Sequence, residues 1–101
     1  MNNRKEIAME FAEAINSKYI KQIILFGSVA RGEDTKDSDI DILIITSQKN
    51  RELENSINSK AADILLEKEE IISPFIMTED HFNNTKNFSF LQNVLSDGMI
   101  I

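Results

Sequence analysis

The sequence predicts an α/β fold. Apolar residues recur at helical spacing in three stretches and as short β-rich runs in three others, and the two kinds alternate along the chain. A strand, a long helix and a further strand in succession also read as a crossover connection. With 101 residues, the chain reads as a single domain, 1–101, with a modest core.

Residues 3–18 form the first helical stretch: Ile7, Phe11, Ala14 and Ile15 share a stripe, with Glu6, Glu10, Glu13 and Lys18 elsewhere. Residues 20–26 end in a continuous apolar run, as a strand covered on both faces would. Gly27 stops that run. Ser28 then reads as the N-cap of a short helix that Gly32 ends. Residues 33–38 are a polar loop. Residues 39–46 are a second strand, whose period of two puts Asp39, Asp41 and Leu43 on one face and Ile40, Ile42 and Ile44 on the other.

Residues 49–67 form a second long helix with Leu53, Ile57, Ala61, Ile64 and Leu65 as its buried stripe. Residues 70–77 are a third strand. Pro74 lacks an N–H, which predicts an edge position or a bulge. Thr78 caps a helix start, residues 83–87 are a polar break, and 88–97 resume as a helix capped by Gly98. Met99, Ile100 and Ile101 can add a short strand. Phe82, Phe88, Phe90, Leu91, Val94, Leu95 and Met99 make this tail rich in apolar residues; they pack on the sheet or in part present a partner surface.

Composition narrows the function. Charged residues at 28% and hydrophobic residues at 42% are ordinary globular values, which excludes a disordered chain. Arg4, Lys5 and Glu6 lead into an amphipathic pattern unlike a signal peptide, and no apolar run has the length of a membrane span. The absence of cysteine removes thiol chemistry and fits a cytoplasmic protein. A net charge of −6, with lysine and arginine scattered, argues against long nucleic acid as a partner. A nucleotide carried with Mg²⁺ remains compatible, because the metal brings the positive charge.

The chemistry concentrates between Gly27 and Asp41. Asp39 and Asp41, two apart on a strand, point the same way, with Cβ atoms about 6–7 Å apart. They repel each other unless a hard cation such as Mg²⁺ lies between them, and such an ion completes its shell with phosphate oxygens. Gly27 lets the backbone approach a phosphate, Ser28 offers a hydroxyl and opens a helical turn, and Arg31 can fork onto a phosphate oxygen. His81, near a helix start, reads as a surface residue, and Tyr19, just before the first strand, as a packing residue.

Phe26-Gly27-Ser28-Val29-Ala30-Arg31-Gly32, followed by Ser38-Asp39-Ile40-Asp41, resembles the signature of the minimal nucleotidyltransferases of the DNA polymerase β superfamily: Gly-Ser, ten residues, Asp-x-Asp. The resemblance covers nearly the whole chain. It implies a nucleotidyltransferase fold of the α/β (α+β) kind, a small mixed β-sheet of three to four strands with helices packed mainly on one face. By the same resemblance Gly27 and Ser28 hold the triphosphate of ATP, and Asp39 and Asp41 hold Mg²⁺ and carry catalysis. Standalone domains of this kind are often antitoxins paired with a HEPN-domain RNase toxin. Some transfer AMP to a tyrosine of the toxin and others act mainly by binding, so two functions stay open: a protein adenylyltransferase and a non-catalytic antitoxin or assembly subunit. An aminoglycoside-type enzyme is a weaker third, because it usually needs an added helical domain. An oligomer also stays open.

The sequence departs from the family pattern at one place. Active members carry a third acid on the next strand, and the aligned position here is Ser73. Either Glu69 or Glu70 replaces it through a shifted register, or the third acid is missing.

Overall fold

The computed structural model describes residues 3–101. In chain order it contains α1 (Arg4–Ile15), β1 (Ile20–Phe26), α2 (Gly27–Arg31), β2 (Ile40–Thr46), α3 (Arg51–Lys68), β3 (Ile72–Thr78), α4 (Glu79–Thr85), α5 (Ser89–Asp97) and β4 (Met99–Ile100). The strands form one mixed sheet in the order β3-β2-β1-β4. β1 runs antiparallel to β2 and β4, and β2 runs parallel to β3, with α3 as the crossover between them. Pro74 lies in β3 at the sheet's edge, opposite Ile42, where a missing N–H is tolerated.

Side-chain caps set three helix starts. The Asn3 side chain accepts from the Glu6 N–H, Asn50 from Leu53 and Thr78 from His81. α1 ends at Ile15, with Asn16 as its cap, three residues short of the expected 18. The α1 stripe also includes Ala8 and Ala12, whereas Ala14 is exposed. α4 runs through Asn83 and Asn84 to Thr85, where the sequence predicts a break; the Thr85 hydroxyl donates to the His81 carbonyl at 2.7 Å and closes the last turn. Gly98 follows α5 with extended backbone, so its role is close approach: a Cβ there would lie 2.5 Å from both Ile24 Cγ2 and the Val94 carbonyl oxygen.

The alternation of β2 divides the core. Ile40, Ile42 and Ile44 join Ile23 and Leu25 in the larger cluster, covered by Ile7, Phe11 and Ile15 of α1 and by Leu53, Ile57 and Ile64 of α3. Leu43 and Ile45 join Ile24 and Phe26 in a smaller cluster on the other face, under Leu91 and Val94 of α5. Leu65, expected in the α3 stripe, is exposed, and so is Leu66, because Ile64 occupies the face that meets the sheet. In the apolar tail, Leu91 and Val94 are buried while Phe88, Phe90, Leu95 and Met99 are exposed.

Candidate functional site

The site lies where β1 ends and β2 begins. Phe26 pairs with Asp41 across the antiparallel ladder, and Asp41 pairs with Ser73 across the parallel one. This register brings the Gly27-Ser28 turn, both aspartates and Ser73 together on the face that carries the smaller core cluster. Gly27 has φ +77°, a left-handed conformation that favours glycine. A Cβ at Gly27 would collide with the Asp41 carboxylate. The glycine is therefore required by its close approach to Asp41, as well as by any phosphate. Ser28 is the second residue of α2 rather than its cap: the cap position is Phe26, in extended conformation and without a side-chain bond.

Asp41 is half-buried and Asp39 is exposed. Burial pushes the Asp41 carboxyl above its ordinary value, and the charge of Asp39 pushes it further, with Arg31 opposing. Among the described residues no ion pair involves either aspartate. Arg31 instead pairs with Glu33 at 3.1 Å and Asp97 at 3.5 Å on the surface. The nearest polar partner of the pair is the Ser73 hydroxyl, which donates to Asp39 Oδ2 at 3.3 Å.

The chain matches the family model described as a nucleotidyltransferase domain over residues 8–96. The chain belongs to the nucleotidyltransferase domain family. Among its relatives is "Putative protein adenylyltransferase MJ0604" of Methanocaldococcus jannaschii, 40% identical over 104 residues, covering 100% of this chain and 99% of that one. A second protein of that organism, MJ0126, named in the same words, is 41% identical over 81 residues, which covers 71% of this chain and 82% of the other. Solved structures with the same fold include a MntA–HpeT toxin–antitoxin (TM-score 0.63, 17% identity, 99% of this chain and 72% of that chain). A toxin–antitoxin with AMP-PNP aligns with TM-score 0.61 at 19% identity, over 99% and 72%. A chain of the tri-AMPylated Shewanella oneidensis HEPN toxin in complex with MNT antitoxin aligns with TM-score 0.56 at 15% identity, over 97% and 67%.

Among the described residues, no third carboxylate stands beside the aspartate pair of this nucleotidyltransferase domain. Ser73 stands level with Asp41, so the strand that would supply the acid supplies a hydroxyl. Glu70 is turned away: it is buried, and its Oε2 accepts from Arg4 Nε at 2.7 Å. Glu69 is the left-handed C-cap of α3, φ +56°, and is exposed. Neither glutamate shifts into the site. Among the described residues, no group of three or more histidine, cysteine, aspartate or glutamate side chains is arranged to hold a metal. Two carboxylates without a cationic partner still suit a hard, oxygen-seeking cation that takes its other ligands from water or phosphate. His81 lies past the far end of β3, beside Thr46 and Thr78, away from the aspartates. Tyr19 packs against the larger core cluster.

Sequence reasoning missed Arg4. It is buried, and its guanidinium bonds Glu70, Asp34 at 2.9 Å, the Thr35 carbonyl and the Lys36 carbonyl. It ties α1 to the 33–38 loop that delivers Asp39. Nothing local marks it, since its partners lie 30 to 66 residues away.

Proposed function

We propose that residues 1–101 act as a single minimal nucleotidyltransferase domain that transfers AMP from ATP to a hydroxyl of a partner protein. The partner we infer is a HEPN-domain toxin, the domain being its cytoplasmic antitoxin. The observation that carries the reading is the unneutralised pair Asp39 and Asp41 held against the Gly27-Ser28 turn. The relatives named for protein adenylyltransfer, and the shared fold with MNT antitoxins, support the acceptor class.

In this reading Asp39 and Asp41 hold Mg²⁺, and Gly27 and Ser28, with Arg31, bind the triphosphate. The bound metal would supply positive charge that offsets the charge on the phosphates. The acceptor oxygen bonds to the α-phosphorus, the bond from that phosphorus to the α–β bridging oxygen breaks, and pyrophosphate leaves. The acceptor's proton goes to solvent, because Ser73 offers no carboxylate base. A tyrosine acceptor suits such a site, since a phenol releases its proton more readily than an aliphatic alcohol.

Ser73 also favours a second reading, an antitoxin that binds nucleotide but acts by contact alone. One experiment separates the two. Labelled ATP, Mg²⁺ and the product of the adjacent gene are incubated with the wild type and with Asp39→Asn/Asp41→Asn. Transfer predicts label on the partner that the double variant abolishes. Absence of label, with neutralisation intact in the variant, overturns transfer in favour of contact.

A further inference from the structure

Beside the aspartate pair, on the same face of the sheet, three phenylalanines meet. Phe26, which immediately precedes Gly27, contacts Phe75 edge-on at 5.4 Å between ring centroids and Phe90 at 5.8 Å. Phe75 and Phe90 are 5.7 Å apart and tilted by 44°. Phe26 is buried, but Phe75 is 39% exposed and Phe90 46%. Two large rings thus keep open area next to a charged site, which core packing does not require.

The register fixes their place. Ser73 is level with Asp41 and Phe75 with Leu43, one pleat repeat along, so Phe75 lies about 6–7 Å up the strand from Ser73 on the same face. Ser73 itself touches Asp39. A polar end with two carboxylates and a glycine turn is therefore continuous with an aromatic end. A nucleotide has the same two ends, phosphates and base, with a ribose between them. Aromatic rings bind bases by stacking, which demands an open ring face and tolerates any base.

Resting on the site reading above, we propose that Phe75 and Phe90 form the shelf on which the base of the bound nucleotide stacks, with Phe26 as its buried support. Phe26 links the two ends: its backbone pairs with Asp41 while its ring holds both shelf rings. The occupant is a base, because the shelf continues the phosphate and metal end without a break in strand or face.

Calorimetry with MgATP and with magnesium tripolyphosphate, which has no base, tests this. Phe75→Leu keeps apolar volume but removes the ring. It is expected to weaken MgATP roughly 5- to 150-fold and leave tripolyphosphate unchanged. Phe90→Leu is expected to act in the same direction. The chain has no tryptophan, so Phe75→Trp places its one tryptophan on the shelf; excited selectively, its emission should fall with MgATP and not with tripolyphosphate. Circular dichroism checks each fold. Unchanged MgATP binding in both leucine variants, while Asp39→Asn/Asp41→Asn loses both ligands, overturns the shelf and leaves the site reading standing. Equal weakening of both ligands by Phe75→Leu overturns it too. A wild type that binds neither ligand overturns the shelf and the site together.

Discussion

Two carboxylate pairs occupy the same end of the sheet on opposite faces, and they are treated in opposite ways. Glu70 and Asp34 share one guanidinium, that of Arg4, which also donates to two loop carbonyls. The two acids hold the Arg4 charge firmly, raising its pKa against the opposing effect of burial. Asp39 and Asp41 have one serine hydroxyl and no ion pair among the described residues, and Asp41 is pushed up rather than down. The first group is a completed internal structure that positions the 33–38 loop. The second has no ion-pair partner among the described residues, and in the proposed reading a bound metal supplies its counter-charge.

The largest effect should follow from breaking the completed group. Removing one partner from a buried ion pair strands the other charge, at about 3–5 kcal/mol. Arg4→Ala is expected to lose that much in urea unfolding. Replacing the charges together, as Arg4→Met with Glu70→Met, should recover most of the loss, since apolar substitutes for a whole buried pair are often neutral. A loss below about 1 kcal/mol for Arg4→Ala would remove the clamp from this picture.

A smaller gain should follow from completing the incomplete group. Ser73→Asp places a carboxylate level with Asp41, where it can hold metal or accept the acceptor's proton. General base catalysis contributes about 10²–10⁴-fold. An imperfectly placed new base should fall short of that range, so AMP transfer to the partner should rise roughly 10- to 100-fold. Unchanged transfer together with unchanged Mg²⁺ affinity would mean that position 73 is not the third ligand position.

The same contrast explains what the sequence disclosed. The placement of Asp39 and Asp41 beside the glycine turn is legible because it follows from local spacing: two residues on one strand face, after a turn at fixed distance. The strands were legible for the same reason, as was the edge position of Pro74. Arg4 was not, because a buried ion pair across 66 residues leaves no periodic trace. Leu65 misled because one helical stripe offers neighbouring apolar positions, and contact with the sheet chooses Ile64. Phe75 was read only as part of a strand; its meeting with Phe26 and Phe90 depends on three elements docking at once.

The smallest expected effect tests the incomplete group's own energetics. A carboxyl raised by burial and by a like charge is harder to ionise in the fold than in the unfolded chain. Its contribution to stability is present below the ordinary aspartate value of 3.8 and is lost as pH rises through the raised one. In chelator, Asp41→Asn should therefore melt with the wild type at the acid end. It should melt higher at neutral pH, by only a few degrees, because Asp41 is half-buried and solvent screens its charge. Mg²⁺ should reverse the order: by binding the folded state it should raise the melting point of the wild type, while the variant gains little. Lowering the pH should weaken that metal effect, because protons compete for the same oxygens. A variant that is less stable than the wild type in chelator at neutral pH would show that Asp41 serves the fold rather than an external cation.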